Sequence, residues 1–299
     1  MHGGRMGYWS ADNPLIWKNV DLDLFKAGAF RIVDGGAAGD LFEPFDAVAP
    51  FCTIYTFEPR GKDAIAHEDH VHVDAGLWSE PCRRPLHIAQ DPTTSSIYPP
   101  DLDYLLRFPD RIGHEARTTA RRVNVPLTSI DAEVAAGTIE PPHFIKLDIH
   151  SAEFEAIEGS TRSLQECLGF LVETWHAPIH SGQHLHGEIE VRLAELGYRL
   201  YHLRPASAWR HLNEGKPFPL DREQLVGSEG LFLREDIPHA LKMRHVALLE
   251  LFGYSQLGRR ICGDAIHMSD GKDVEIWAAI ERALKRNQRL RKSQVAEQA

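Results

Sequence analysis

Val33-Asp34-Gly35-Gly36-Ala37-Ala38-Gly39 is the stretch on which the fold of this chain turns. It begins in a short apolar run over residues 31–34, passes through an acid, and ends in three glycines within five residues. That pattern predicts a strand closing in a tight turn. Glycines at such a place let the backbone turn sharply and let a ligand approach main-chain atoms. In open α/β sheets, ligands settle beyond the carboxyl ends of the strands, where the strand order reverses.

Working outward, β-branched and aromatic residues predict a strand at 53–57, which runs into Glu58-Pro59. Further strands are expected at 71–75, at 86–97 with a Thr- and Ser-rich excursion, at 123–127, at 144–147 before Asp148, at 169–174, at 198–203 and at 230–234. Helical spacing of apolar residues predicts helices at 41–49, 152–168 and 188–196. This alternation implies an α/β fold with a doubly wound, mostly parallel sheet and helices on both faces. Beyond residue 234 no strand is expected. Residues 240–252 and 274–290 read as helices, with Gly253 and Gly258 as breaks between them. The expected organisation is therefore an N-terminal cover segment (1–30), a main domain (31–236) and a helical C-terminal appendage (237–299). The basic stretch at 282–292 reads as a solvated helix face.

Composition narrows the function. The 299 residues include 33 Lys+Arg and 43 Asp+Glu, a formal net charge of −10. Such a chain is repelled by a phosphate backbone, so nucleic acid is not expected as a partner. Cys52, Cys82, Cys167 and Cys262 are far apart and form no CxxC pair, so they read as small buried residues in a reducing compartment. There is no basic-then-apolar leader and no run of about 18 apolar residues. A cytoplasmic protein without a membrane span is the expectation.

Glu58 lies 19 residues after Gly39, at the end of the second strand. A carboxylate there can accept hydrogen bonds from both hydroxyls of a ribose. With the glycine turn it points to a nucleoside-type cofactor. The dinucleotide fingerprint G-x-G-x-x-G is not matched by GGAAGD, and Asp34 and Asp40 would oppose a pyrophosphate. S-adenosylmethionine carries a sulfonium and an ammonium and no phosphate, so an acidic turn suits it.

These pieces together resemble the FkbM family of methyltransferases over about residues 31–235. The resemblance rests on VDGGAAG, on TFEP at 56–59, on 75–79, on Ser95-Ser96 and on VPLTSID at 125–131. It continues through FIKLDIHSAEFEAIEGS at 144–160 and the stretch that ends at Leu200. It implies a class I methyltransferase with a Rossmann-like seven-stranded sheet, acting on a hydroxyl of a sugar or secondary metabolite. It further implies that Asp34, Gly35, Gly36, Ala37 and Gly39 hold the methionine end of S-adenosylmethionine. Glu58 with Pro59 would bind the ribose, Ala75, Leu77 and Trp78 would border the adenine, and Asp148 would lie beside the sulfonium. The sequence departs from the family at His150 and Ser151, where Glu-Gly or Gln-Gly is usual, while Glu153 is kept.

If the acceptor is a hydroxyl, a base must take its proton, and His150 is the candidate. Asp148 and Glu153 complete the expected catalytic set. Lys146, alone in an apolar strand, is open between approaching the site and snorkelling to the sheet edge. Glu173 is open between the site rim and a solvated strand end. His176, His180, His184 and His186 match no metal-ligand spacing, and no metal is expected. The expected partner is a small-molecule or glycan acceptor. The alternatives are an N-methyltransferase and a binding protein that kept the fold but lost catalysis. The C-terminal helices are open between covering a pocket, docking a partner and forming a homo-oligomer contact.

Overall fold

The computed structural model describes residues 14–20, 22–36, 42–59, 70–213 and 215–298. Its contacts divide the chain into two units. The first comprises Met1–Arg31, Asp40–Thr53 and Ile237–Ala299, and the second Ile32–Gly39 and Ile54–Asp236.

The strands in chain order are β1 (Phe30–Gly35), β2 (Cys52–Phe57), β3 (Val71–Val73), β4 (Gly76–Leu77), β5 (Cys82–Ala89), β6 (Thr119–Thr128), β7 (Phe144–Leu147), β8 (Gly169–Trp175), β9 (Tyr198–Trp209), β10 (Leu212–Asn213), β11 (Lys216–Pro217) and β12 (Gln224–Arg234). Seven of them form one sheet in the order β3-β2-β1-β7-β8-β12-β9. β1 pairs in parallel with β7, and β7 with β8, while β12 runs antiparallel to both β8 and β9. The chain fills one side of β1 and then returns to the other, so the strand order reverses between β1 and β7. β7 is buried along its whole length, as a strand covered on both faces must be. Val33, Ile145, Phe170, Val172 and Phe232 carry its core, packed against Ile157 and Leu193 from flanking helices.

β5 and β6 leave the main sheet in which the strands expected at 86–97 and 123–127 were placed, and are joined by β4, which was not expected. They form a separate three-stranded sheet in the order β4-β6-β5. The reason lies in their charges. Arg83, Arg84, Arg121 and Arg122 are exposed on β5 and β6, and a sheet covered on both faces has no room for them. Their apolar residues Leu86, Ile88, Val125 and Leu127 pack instead with Trp78 and Ala152.

Three helix expectations are corrected. The helix at 41–49 is a run of 3-10 turns, Phe45–Phe51, with Pro50 inside it. Leu41 lies outside the described residues. The helix expected over 152–168 is only Glu153–Glu158. It stops at Gly159, where a Cβ would come within 2.2 Å of the Trp78 carbonyl oxygen. The following turn is held by Asp131, which accepts from Arg162 N–H at 3.1 Å and Ser163 Oγ at 2.7 Å. Gly258, expected as a break, lies inside a helix, Ser255–Met268. Its missing Cβ would stand 3.2 Å from Leu284 and 3.3 Å from Val246, so the glycine permits close helix packing. The break falls at Gly253, whose φ is +86°.

In the first unit the short helix Leu15–Asn19 is tied to the helix Lys242–Leu251. Glu250, fully buried, accepts the N–H groups of Leu15 at 3.2 Å and Ile16 at 2.9 Å, and the Asn287 side-chain amide. Trp17 donates from Nε1 to the Ala247 carbonyl at 3.1 Å. A long C-terminal helix, Gly271–Gln298, buries Trp277, Ile280 and Leu284. On its basic stretch Lys285 pairs with Glu281 at 2.8 Å. No described helix is long and apolar enough to cross a membrane. The four cysteines are free thiols, Cys167 and Cys262 buried and Cys52 and Cys82 half-buried.

Candidate active site

The second unit carries a cavity of about 440 Å³ where the carboxyl ends of β1, β2, β7 and β8 meet. That volume lies within the range of about 300–1,000 Å³ usual for small-molecule and cofactor sites. Gly36, Phe57, Glu58, Pro59, Gly76, Leu77 and Leu127 line one part. Leu86, Pro92, Thr93, Thr94, Ser95 and Ile97 line another, and Asp148, Ile149, His150, Ala152 and Glu173 the rest. The charged side chains among them are Glu58, Asp148 and Glu173, with His150 beside them. No lysine or arginine is in the lining among the described residues.

The glycine turn is shaped by contact with the end of β7. The Asp148 N–H donates to the Gly35 carbonyl at 3.1 Å, and the Gly36 N–H to the Phe57 carbonyl at 3.3 Å. Gly36 has a φ of +83°, and a Cβ on it would lie 1.9 Å from the Asp148 carbonyl oxygen. Only glycine fits there. Gly35 is closed by packing, since its Cβ would meet Leu77 at 2.9 Å.

Lys146 neither opens into the cavity nor snorkels. It stands opposite Asp34 in the β1–β7 register, and its Nζ is 3.0 Å from Asp34 Oδ1 and 3.7 Å from Asp148 Oδ2. Burial alone would discharge the ammonium. Asp34 and Asp148 outweigh it and hold the Lys146 pKa above its ordinary value. Burial likewise raises the Asp34 carboxyl, against the pull of Lys146. Asp34 thus spends its charge on Lys146 and is absent from the cavity lining. Asp148 keeps 44% of its side chain accessible. Burial pushes its carboxyl up, but Lys146 and His150 together hold it below the ordinary value.

His150 and Ser151 have φ values of +51° and +85°. This left-handed region suits the glycine that the resembling family carries at the second position. The strain is held by side-chain bonds. Ser96 Oγ donates to the His150 carbonyl at 2.5 Å, and Ser151 Oγ lies 2.7 Å from His180 Nδ1. His180 is 1% exposed, and burial keeps it neutral by driving its pKa well below the ordinary value. The turn aims the His150 ring at β8, with Nδ1 3.3 Å from Glu173 Oε2. Burial is the main cause that lowers the His150 pKa, with Arg117 and Lys146 adding to it against Asp148. The ring is therefore uncharged near neutral pH. Glu173 is pushed far up by burial and then by Asp148 and Glu153, while Arg117 and Lys146 pull it back.

Glu153 is 1% exposed and absent from the lining; its Oε1 accepts the Ile149 N–H at 2.9 Å. It closes the turn that carries His150. Burial raises its carboxyl to about 8. Ala75 is buried beside β4, and Trp78 is held by its N–H to the Thr128 carbonyl at 2.7 Å with Arg84 over its ring. Neither lines the cavity. Ala37, Gly39 and Asp40 lie outside the described residues. Of the site residues expected from sequence, the cavity thus gathers Gly36, Glu58, Pro59, Leu77, Asp148 and His150.

Glu173 is the member that sequence left open. Its signal was an acid near the end of a strand, which becomes informative only once β8 is known to lie beside β7. Thr93, Thr94 and the buried Arg117 had no motif, and of that wall only Ser95, in the Ser95-Ser96 step, fell within the resemblance. Arg117 lies 5.6 Å from the Trp175 ring and 5.1 Å from that of Trp209.

The one grouping of potential metal-binding side chains among the described residues is Asp148, His150 and Glu173, whose atoms lie within 4.8 Å of one another. The four clustered histidines have other partners. His180 bonds Ser151, His176 bonds Ser228, His184 pairs with Glu188, and His186 bonds Thr174.

Two solved structures are similar to this chain at low identity. One is the methyltransferase FkbM of Methylobacillus flagellatus, at 13% identity and a TM-score of 0.34, over 69% of this chain and 43% of that one. This chain therefore spans less than half the length of that relative. The other is Sp1610 of Streptococcus pneumoniae, a candidate tRNA (m1A22) methyltransferase. It is 9% identical with a TM-score of 0.31, over 91% of this chain and 96% of that one. No curated protein matches. The model of the methyltransferase FkbM domain matches residues 34–200, more than half of the chain, from the glycine turn through Glu58 and the Asp148–His150 turn to β9, and on that match the chain belongs to the FkbM methyltransferase domain family.

Proposed function

We propose that this protein is an S-adenosylmethionine-dependent methyltransferase that methylates a hydroxyl of a small molecule or glycan in the cytoplasm. The observation that carries the reading is the charge of the cavity. Glu58 and Asp148 line it, with no lysine or arginine among the described lining residues. Such a wall attracts a cationic ligand and repels a phosphate. The glycine turn supports the same ligand, because Gly36 lets the end of β1 close onto Asp148 and itself lines the cavity.

S-adenosylmethionine, when bound, supplies a methyl group on a sulfonium whose positive charge is lost on transfer. The chain's own residues bind and align it. Gly36 admits the methionine end, Glu58 accepts from the ribose hydroxyls, and Pro59, Leu77 and Leu127 border the base. Asp148 offers its carboxylate to the positive charge. His150, uncharged and fixed by the Ser96 and Ser151 bonds, takes the proton of the acceptor hydroxyl. Alignment and exclusion of water account for most of the catalysis of an in-line displacement.

The test is calorimetric titration with S-adenosylhomocysteine, with NAD as control, on the wild type and on Glu58→Ala. Micromolar binding of the thioether, weakened at least about tenfold by the substitution, is the expected result, since one charged hydrogen-bonding partner is worth about 1.5–3 kcal/mol. Binding of NAD instead, or of neither ligand, refutes the reading.

A further inference from the structure

Glu173 and His150 face each other across the cavity without completing a bond. Glu173 Oε2 and His150 Nδ1 are 3.3 Å apart, and both atoms are buried without a hydrogen-bond partner. Buried polar atoms are seldom left so, and a site that leaves two of them facing is waiting for a change of charge or of ligand. We propose that Glu173 is the positioning residue of His150, and that it assumes this role by giving up a proton when a cationic methyl donor enters the cavity. The inference rests on the function proposed above and adds to it a residue and an order of events.

The geometry makes the charge balance of this corner sensitive to one added cation. Asp148 from the end of β7 and Glu153 from the following helix both raise the energy of an ionised Glu173. Lys146 and Arg117 oppose them, but Lys146 is already shared between Asp34 and Asp148. Across the sheet, Glu229 stands opposite Glu173 in the β12 register and is paired with Arg204. Three carboxyl groups therefore share one partly committed ammonium and one guanidinium. In the empty cavity the cheapest arrangement keeps a proton on Glu173.

A sulfonium beside Asp148 adds the missing positive charge. Glu173 then ionises, its proton passes to solvent through the open cavity, and His150 donates from Nδ1–H to Glu173 Oε2. This fixes the tautomer in which Nε2 keeps its lone pair, the form that can accept a proton from a hydroxyl. Once the positive charge is gone from the cavity, Glu173 recovers a proton and the pair relaxes. The base is thus armed only while the donor is loaded.

The methyl donor and its thioether product differ by that one charge, so they are the natural probes, and no acceptor is needed. Each is titrated calorimetrically in two buffers of unlike ionisation enthalpy near neutral pH, which gives the protons released on binding. The expected result is a larger release with S-adenosylmethionine than with S-adenosylhomocysteine, by up to about one proton. Glu173→Gln should remove the difference. Equal release with the two ligands overturns the proposal while leaving the donor site intact. So does a difference that survives Glu173→Gln. Failure of both ligands to bind overturns the function itself. Nitrogen NMR of His150 in the unmodified protein is a second reading that needs no variant. Protonation at Nδ1 in the donor complex is expected, and protonation at Nε2 alone overturns the assignment.

Discussion

Replacing Ser151 by alanine and by glycine separates two energies that the fold stores at one residue. Ser151 has a φ of +85°, where a side chain costs about 1–2 kcal/mol that glycine does not incur. Its Oγ also makes a buried 2.7 Å bond to His180 Nδ1, and leaving such a group unpaired costs about 1–3 kcal/mol. Ser151→Ala loses the bond and keeps the strain, so it should destabilise by about 1–3 kcal/mol. Ser151→Gly loses the same bond but relieves the strain, against about 0.5–1 kcal/mol of extra unfolded-chain entropy. The glycine variant should therefore be the more stable of the two by up to about 1 kcal/mol. Urea midpoints at a common slope measure this directly. An alanine variant as stable as the glycine variant, or more so, refutes the reasoning, because the backbone at 151 would then carry no strain. The functional corollary is a looser His150, since Ser151 is its chain neighbour and the anchor of its turn.

Other consequences follow from the same corner of the molecule. Gly36→Ala places a Cβ 1.9 Å from a carbonyl oxygen of the main chain, at a φ of +83°, so the turn must move. Binding of S-adenosylhomocysteine should fall at least about tenfold, that is by about 1.4 kcal/mol or more, and wild-type affinity in calorimetry would contradict it. The Glu153 carboxyl, raised by burial to about 8, holds a proton in the fold that the unfolded chain loses near pH 4.3, the ordinary value of about 4.3. Between these values the folded state binds more protons, so this group makes stability fall as pH rises, levelling off above the folded value. Glu153→Gln should flatten that slope in urea midpoints taken across the window, and an unchanged slope would remove Glu153 as its source.

Much of the glycine-turn side of the cavity was legible because its signals are local. A glycine turn after an apolar run, and an acid at the end of the next strand, each lie within a few residues of sequence. Gly36 and Glu58 both line the cavity. Asp34 was legible as a turn acid, but its partner was not, because the β1–β7 register places Lys146 opposite it from more than a hundred residues away. The departure at His150-Ser151 was visible as a change of residue type. That it forces two side chains into glycine's conformation, and that His180 and Ser96 hold them there, required the fold.

Helix lengths failed for an equally physical reason. Periodicity over 152–168 continues past Gly159, but the helix ends there, where the backbone runs so close to Trp78 that no Cβ would fit. Gly258 looked like a break because glycine usually is one, yet packing against Leu284 and Val246 makes it a helix interior position. The amino-acid sequence by itself determined the alternation of strands and helices, the glycine turn and the acid that follows it, since these depend on backbone preference and on neighbours in the chain. The tertiary structure alone decided which strand ends meet, and with them the convergence of Asp148, His150 and Glu173 on one cavity, because strand order and register are set by contacts between residues distant in the chain.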